Sequence, residues 1–289
     1  MIVWIDTVLQ GVLLGGLYAL YATGLSLIFG IMRLVNLAHG DLIVLGAYLI
    51  LLIATGLGVD AFLAFVIAVP LMFMLGYLLQ GLLLNRTLGS DILPPLLVTF
   101  GLSIVIQNGL LEAFSANTQR LPIGEIAGVS IPIGAGIAVG VMPLLSLVAA
   151  VLVILALSFV FYRTGLGRAF RATSDDVEIA QLMGIDNRHI YAVAMGLALA
   201  VCTVAAFFLG ARVQFDPTIG PARLIYAFEA VIIGGLGSLW GTLAGGIVVG
   251  VAQTIGARIN PEWQILAGHI AFLAVLIVRP RGLFPRAVD

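Results

Sequence analysis

VMPLLSLVAAVLVILALSFVFY (141–162), followed at once by RTGLGRAFRATSDDVEIAQLMGIDNRH (163–189), decides what kind of protein this is. The first run carries no charge and is long enough to cross lipid, since a spanning helix needs about 20 apolar residues. The second carries four arginines and four acids, and beyond it the apolar pattern resumes over 190–211. A polar block between two lipid-length runs has no soluble domain to pack against. It reads as a surface at one membrane face that touches something.

Working outward, apolar segments fall at 7–30, 35–55, 61–85, 92–112, 141–162, 190–211, 222–237, 240–257 and 262–279. Hydrophobic residues make up 62% of the chain, charged ones 9%, and the mean hydropathy is +1.19. Soluble domains are nearer one quarter charged, so the bilayer is the solvent for most of this chain. The runs are far too long for the alternating strands of an outer-membrane barrel. The expected fold is an all-α integral membrane protein, a polytopic helical bundle of about 8–9 membrane segments forming a single domain over 1–289. The 35 glycines suit close helix packing in lipid. The seventh segment is short and broken by glycines (IIGGLGSLWG), so it is expected to cross only part of the membrane.

Composition also excludes. A net charge of −1 argues against a nucleic-acid partner. The single cysteine, Cys202, permits neither a disulfide nor a cysteine cluster. The opening MIVWID has no basic region, so no cleavable signal peptide is expected. No GxxxxGK[ST] loop occurs, so ATP would be handled on another chain. No cofactor is expected, and no metal, because His39 and Asp41 have no third ligand in view.

Orientation follows from arginine, the only basic residue other than histidine. Positively charged loops stay in the cytoplasm. With 163–189 inside, alternation over nine segments also places Arg33, Arg86, Arg279, Arg281 and Arg286 inside, nine of thirteen arginines in all. Arg120, Arg212, Arg223 and Arg258 then fall outside, with the N-terminus outside and the C-terminus cytoplasmic. An eight-segment chain that fuses 222–257 would put the tail RPRGLFPR outside and fits less well. The long connection 113–140 lies outside, with a short strand pair or an interfacial helix as its expected content.

Three stretches carry candidate chemistry. In 163–189, Gly165 and Gly167 disfavour continuing the preceding helix. Thr173 or Ser174 is the expected N-cap of a short helix with Asp175, Asp176 and Glu178 in its first turns, and Gly184 ends it. Ile179, Leu182, Met183 and Ile185 give that helix an apolar face, which suits either the membrane surface or a partner's groove; an ordinary solvated loop is the bland alternative. Glu178-Ile179-Ala180, three residues, then Gly184 resembles the EAA loop of ATP-binding-cassette importer permeases, with Ile179 departing at the middle position.

In GLSLIFGIMRLVNLAHGDLIVLGAYL (24–49), Asn36, His39 and Asp41 sit between two apolar runs. They are costly in lipid. They read either as a helix-start cap with His39 at headgroup level, or as a broken helix beside a solute path. In EAVIIGGLGSLWGTLAGGIVVG (229–250), Glu229 is a path candidate, a partner for Arg223, or a half-helix cap. Gln107 and Asn108 pose the same question in the fourth span, between the path and interhelical hydrogen bonding.

Segments 24–49 and 229–250, with the RATSDD…LMGI stretch, resemble the branched-chain amino acid permease family, in particular the shorter member of its permease pair. That resemblance extends over nearly the whole chain and implies a fold of the ribose and vitamin B12 permease class. It further implies a second, longer permease subunit, two ATP-binding subunits and an external solute-binding protein, in a bacterial inner membrane. It assigns the ATPase contact to Arg171, Asp176, Glu178, Ala180, Leu182, Met183, Gly184 and Ile185. Relatives in the family carry branched-chain amino acids, other amino acids, amides or organic acids. The competing reading from the residues alone is an ion-coupled secondary transporter using Asp41 and Glu229. An intramembrane enzyme has no HExxH or GxSxG to support it.

Overall fold

In the computed structural model, residues 1–284 are described apart from 90, 92 and 135; Arg286 lies outside the described residues. All nine apolar segments are helices: α1 (Ile2–Met32), α2 (His39–Leu57), α3 (Ala61–Leu82), α4 (Leu93–Phe114), α5 (Val141–Arg163), α8 (Asn187–Arg212), α9 (Gly220–Gly234), α10 (Leu239–Ile259) and α11 (Trp263–Val278). Between α5 and α8 lie two short helices, α6 (Gly165–Asp175) and α7 (Val177–Leu182). The 113–140 connection holds the expected strand pair, β1 (Ser130–Gly134) antiparallel to β2 (Ile137–Gly140), preceded by a 3₁₀ turn at Gly124–Gly128.

Seven of these helices are long and apolar enough to cross a membrane. The exceptions among the nine are α9, with 15 residues, and α11, with 16. At 1.5 Å per residue each rises only about 22–24 Å, short of a hydrocarbon core of about 30 Å. The cause at α9 is local: Gly235 and Gly237 have φ of 102° and 79°, a region that breaks the helix and suits only glycine. Residues 213–219 before α9 are irregular, with a turn at 217–218, and this glycine turn follows it.

Helices α1, α2 and α8 form the buried centre, and α3, α4, α5 and α11 present large apolar side chains outward, as a bundle solvated by lipid must. The most extensive crossing joins α1 and α10. Gly11 and Gly15 on one helix face Gly246 and Gly250 on the other, so closely that a β-carbon at Gly15 would sit 2.5 Å from the Ile247 Cα. Close backbone approach of this kind is how helices associate where hydrophobic burial supplies little.

The two ends of the bundle are distinct. At one end, Gln10 Nε2 donates to the Ala138 carbonyl (3.0 Å), and Leu121 N–H donates to the Gly210 carbonyl (3.0 Å). At the other, Leu283 and Phe284 N–H groups donate to the carbonyls of Ile233 and Gly234, close to the end of α1. The first helix therefore starts at the end opposite to where the described chain finishes, as nine segments require and eight do not. Arg33 caps α1 at the second end, and Asn85 Nδ2 donates to the Arg188 carbonyl there (3.2 Å), which brings Arg86 beside α8's start.

Candidate functional site

The polar stretch at the second end folds differently from its expected caps. Gly165 and Gly167 lie inside α6, which Thr164 caps by accepting from the Gly167 N–H (3.1 Å). Gly167 is there because α6 doubles back on α5 so closely that a β-carbon would strike the carbonyls of Val160 and Phe161. Thr173 and Ser174 are in the last turn of α6, and the N-cap of α7 is Asp176, which accepts from the N–H groups of Glu178 and Ile179 at 2.9 Å each. The single helix expected here is thus two, with a corner at Asp176. The carboxylate wins the cap because Asp176 is extended (φ −148°, ψ 113°), the geometry an N-cap requires.

Thr173 and Ser174 act instead as fasteners. Ser174 Oγ donates to the Gly30 carbonyl near the end of α1 (2.8 Å). Thr173 Oγ1 donates to Asn187 Oδ1 (3.0 Å), and Asn187 Nδ2 donates to the Val177 carbonyl (2.7 Å), closing α6, α7 and the start of α8 into one unit. Asn187 is buried and escaped the sequence reading; its only signal was its place beside a capping aspartate. Arg171 reaches back to the Phe161 carbonyl.

Of the contact candidates, Ala180 is buried and seats α7, and Ile185 is half-buried. Leu182 and Met183 are 86% and 78% exposed, with Ile179, Asp176, Glu178 and Gly184 also exposed. Gly184 has φ of 83°, ending α7 as expected. The unit is rigidly held from behind and presents apolar side chains in front.

The second constellation is a re-entry. After α1 ends, residues 33–38 turn back into the bundle, so that α2 begins deep inside it. His39 is fully buried rather than at headgroup level, with Nε2 bonded to the Tyr21 carbonyl near the middle of α1 (2.8 Å) and Cys202 Sγ 3.8 Å from the ring nitrogens. Asn36 Oδ1 accepts from the Ala38 N–H (3.0 Å), capping a turn, while Ala38, which offers no side-chain acceptor, starts the helix. Asp41 Oδ2 accepts from Ser103 Oγ of α4 (2.6 Å), and Gln107 Nε2 donates to that same Ser103 Oγ (3.1 Å). Asp41 Oδ1 has no hydrogen-bond partner and lies against Gly220, the first residue of α9. Two helix N-termini thus converge on one carboxylate, the favourable sign for both dipoles. This requires glycine at 40 and 220, because a β-carbon on Gly40 would overlap the Gly220 carbonyl.

The structure therefore joins Asp41 and Gln107 through Ser103, a residue the sequence did not single out, while Asn36 and His39, at the same helix start, engage the Ala38 N–H and the Tyr21 carbonyl. Asn108 stands apart, exposed on α4, with its side chain donating only to its own helix at Ile104 (2.8 Å). Of the fourth-span pair, Gln107 takes part in the hydrogen-bonded group that ties α4 to Asp41 of α2, and Asn108 bonds within its own helix.

Glu229 is buried in α9 and its Oε1 is hydrogen-bonded with His269 Nδ1 of α11 rather than with Arg223, and it sits mid-helix where it caps nothing. Arg223 instead lies 6.0 Å from the Tyr226 ring centroid. The helical spacing on α9 puts residues 223 and 226 on one face and 229 on the side facing α11. His269 went unnoticed in the sequence because its partner is 40 residues away. No group of three or more metal-ligating side chains is present among the described residues.

A family model described as the permease component of the branched-chain amino acid transport system matches residues 7–278. The high-affinity branched-chain amino acid transport permease BraD of Pseudomonas aeruginosa is 29% identical over 98% of this chain and 96% of its own length. LivH of Escherichia coli K12 is likewise 29% identical, over 98% of this chain and 96% of its own. LivM of the same organism is 29% identical over 49% of this chain and 34% of its own length. The match takes in all of α11 and α1 from residue 7 onward, so this chain belongs to the permease component family of branched-chain amino acid transport systems, as a multi-pass membrane permease and not an enzyme.

Proposed function

We propose that this chain is one of two permease subunits in an ATP-driven importer of branched-chain or closely related amino acids. It works with a longer second permease, two ATP-binding subunits and an external solute-binding protein, in a bacterial inner membrane. The existence of LivH and LivM as two kinds of relative supports a mixed pair. The arginine-rich end is cytoplasmic by the positive-inside rule, with the N-terminus outside. The nucleotide-driven push arrives at α7.

The observation that carries this reading is the pairing of an exposed apolar front (Leu182, Met183, Ile179) with a hydrogen-bonded back (Thr173, Ser174, Asn187). Exposed leucine and methionine on a single short helix are what a partner's groove would bury, and the fastened back passes force to α1 and α8. Asn36, His39 and Asp41, all buried and engaged, hold the shape of the re-entry; Gln107 and Asn108 on α4 remain the candidates nearest a path or a partner. Glu229 braces α9 on α11.

The test is reconstitution of the full complex in vesicles. Glu178→Arg, or Gly184→Leu at a position whose φ disfavours any side chain, is expected to leave ATP hydrolysis running while leucine uptake falls at least about tenfold, a loss of roughly 1.4 kcal/mol in coupling. Normal uptake per ATP in both variants would remove α7 from the coupling role. Competition of labelled leucine by valine, amides or organic acids assigns the solute.

A further inference from the structure

Arg223 is placed against the ordinary rule for helices. It lies in the first turn of α9, where the helix dipole favours acids and disfavours a cation. That turn is inside the bundle, since Gly220 and Tyr226 are buried and Gly220 meets Asp41 of α2. A charged side chain held inside a membrane bundle is paired or functional. Among the described residues the Arg223 side chain makes no hydrogen bond and no ion pair. Only its Nε is sealed from solvent, so its two terminal nitrogens are open and unengaged. The Tyr226 ring, 6.0 Å away, steadies the guanidinium without neutralising it.

A second cation meets it. Arg212, the last residue of α8, is half-buried and donates to Ser146 Oγ of α5 at 3.3 Å, which engages one N–H and leaves the rest. The charges of Arg212 and Arg223 both act on the Tyr18 and Tyr21 hydroxyls, which sets the two guanidiniums around one patch of α1. Tyr18 in turn stacks on Tyr226, with ring centroids 5.0 Å apart. The neighbouring acids are committed elsewhere: Asp41 bonds Ser103, Asp216 bonds Thr218 and Glu229 bonds His269. Among the described residues no acid is within ion-pair distance of either arginine. Like charges gathered in a low dielectric repel, and an anion between them turns that repulsion into attraction. The fold supplies the cations and the aromatic wall, and leaves the anion to come from outside.

We infer that Arg212 and Arg223 form a binding site for a carboxylate anion, gripped between the two guanidiniums with Tyr18 and Tyr226 beside it. Guanidinium forks match the paired oxygens of a carboxylate, and the stacked rings suit an aliphatic substituent on it. That the carboxylate belongs to the imported solute rests on the importer reading above. Gly210, two residues before Arg212, accepts from the Leu121 N–H of the 113–140 connection, so the site stands toward the end of the bundle where solute enters on that reading. There the carboxylate exchanges water for two guanidiniums before the solute moves on, and an uncharged analogue is not held.

The test treats the assembled complex in phosphatidylcholine nanodiscs with phenylglyoxal, which reacts with accessible guanidinium groups, and follows each arginine by mass spectrometry. Arg212 and Arg223 should be modified in the free complex and protected, saturably, by leucine and by 4-methylpentanoate. Leucinol, which lacks the carboxylate, should not protect them. Arg258, exposed at the end of α10, should react equally in every case. Arg212→Gln should weaken the protection of Arg223 by leucine about 10- to 100-fold, the worth of a charge-assisted hydrogen bond. Arg212→Lys, which keeps the charge without the fork, should weaken it less. Equal protection by leucinol, or protection unaltered in Arg212→Gln, overturns the assignment. So does protection by phosphatidylglycerol or inorganic phosphate that matches that by leucine. A complex that imports leucine without protection of either arginine refutes the site and leaves the importer reading intact. Protection by 4-methylpentanoate in a complex that imports no leucine supports the site and removes the importer reading.

Discussion

Asn187→Ala isolates the fastening behind α7. The side chain is 3% exposed and makes two hydrogen bonds, one to Thr173 Oγ1 and one to the Val177 carbonyl. Thr173 is itself buried, so its hydroxyl loses its acceptor without access to water and pays about 1–3 kcal/mol. Val177 is 43% exposed, so water can reach its carbonyl and the loss there is nearer 1 kcal/mol. Together about 2–4 kcal/mol of restraint on α7 disappears, roughly a 30- to 1,000-fold change in its opening equilibrium. The start of α8 should survive, because Asp186 caps it independently by accepting from Arg188 and His189 N–H. Hydrogen exchange on the amides of 177–182 in the assembled complex reads the effect directly. Asn187→Asp keeps the acceptor for Thr173 and loses only the donor to Val177, so its effect should be about tenfold. Exchange unchanged in Asn187→Ala, or equal in both variants, would show that this side chain does not hold α7.

Three further outcomes are expected. Gly40→Val pushes a side chain into the Gly220 carbonyl and should cost well over the usual 1–3 kcal/mol of overpacking; Gly101→Ala on α4, with nothing within 4 Å, should melt like wild type, and equal melting of the two would refute the tight α2–α9 junction. His269→Ala strands the buried Glu229 carboxylate and should lower thermal stability by about 1–3 kcal/mol, discounted because His269 is 40% exposed. Adding Glu229→Gln should restore most of that loss, and a double variant less stable than the single would contradict the pairing. Leu182→Glu with Met183→Glu, both on the exposed front, should abolish co-purification of the ATPase subunits without shifting the permease's own melting; retained subunits would place the contact elsewhere.

Periodicity and charge were enough to read nine helices, their order and the odd parity that separates the two chain ends. Apolar length is a local property, and arginine placement answers to the membrane as a whole. What escaped was every feature made by contact between distant segments. Glu229 found His269 rather than Arg223 because α11 packs on α9, a fact of tertiary order with no trace near either residue. The corner at Asp176 was missed for a different reason: Thr173, Ser174 and Asp176 are all competent caps, and the choice among them depended on Gly30 and Asn187 drawing the two hydroxyls away. His39, with a polar ring in an apolar chain, read first as an interfacial residue until the Tyr21 carbonyl showed how deep the re-entry goes.

The distribution of glycine and hydrogen bonds across the fold separates what can move from what must not. Ser174 pulls on the Gly30 carbonyl, so displacement of α6 acts on the end of α1. From there α1 meets α10 through Gly11, Gly15, Gly246 and Gly250, a backbone contact with no long side chains to absorb a shift. Because close-packed interfaces change by discrete repacking rather than by smooth deformation, a push of this kind carries α10 with it. The next link is as tight: α10 packs on α9 through Gly241 against Gly234 and Gly245 against the Ala230 carbonyl, and Gly282 packs against the Gly235 turn. Helix α9 is in turn pinned at its far end by Asp41 and at its middle by His269. A half-length helix clasped along one side by α10 and fixed at its start and middle has no joint of its own, so a displacement that reaches it moves α9 and α10 as one body.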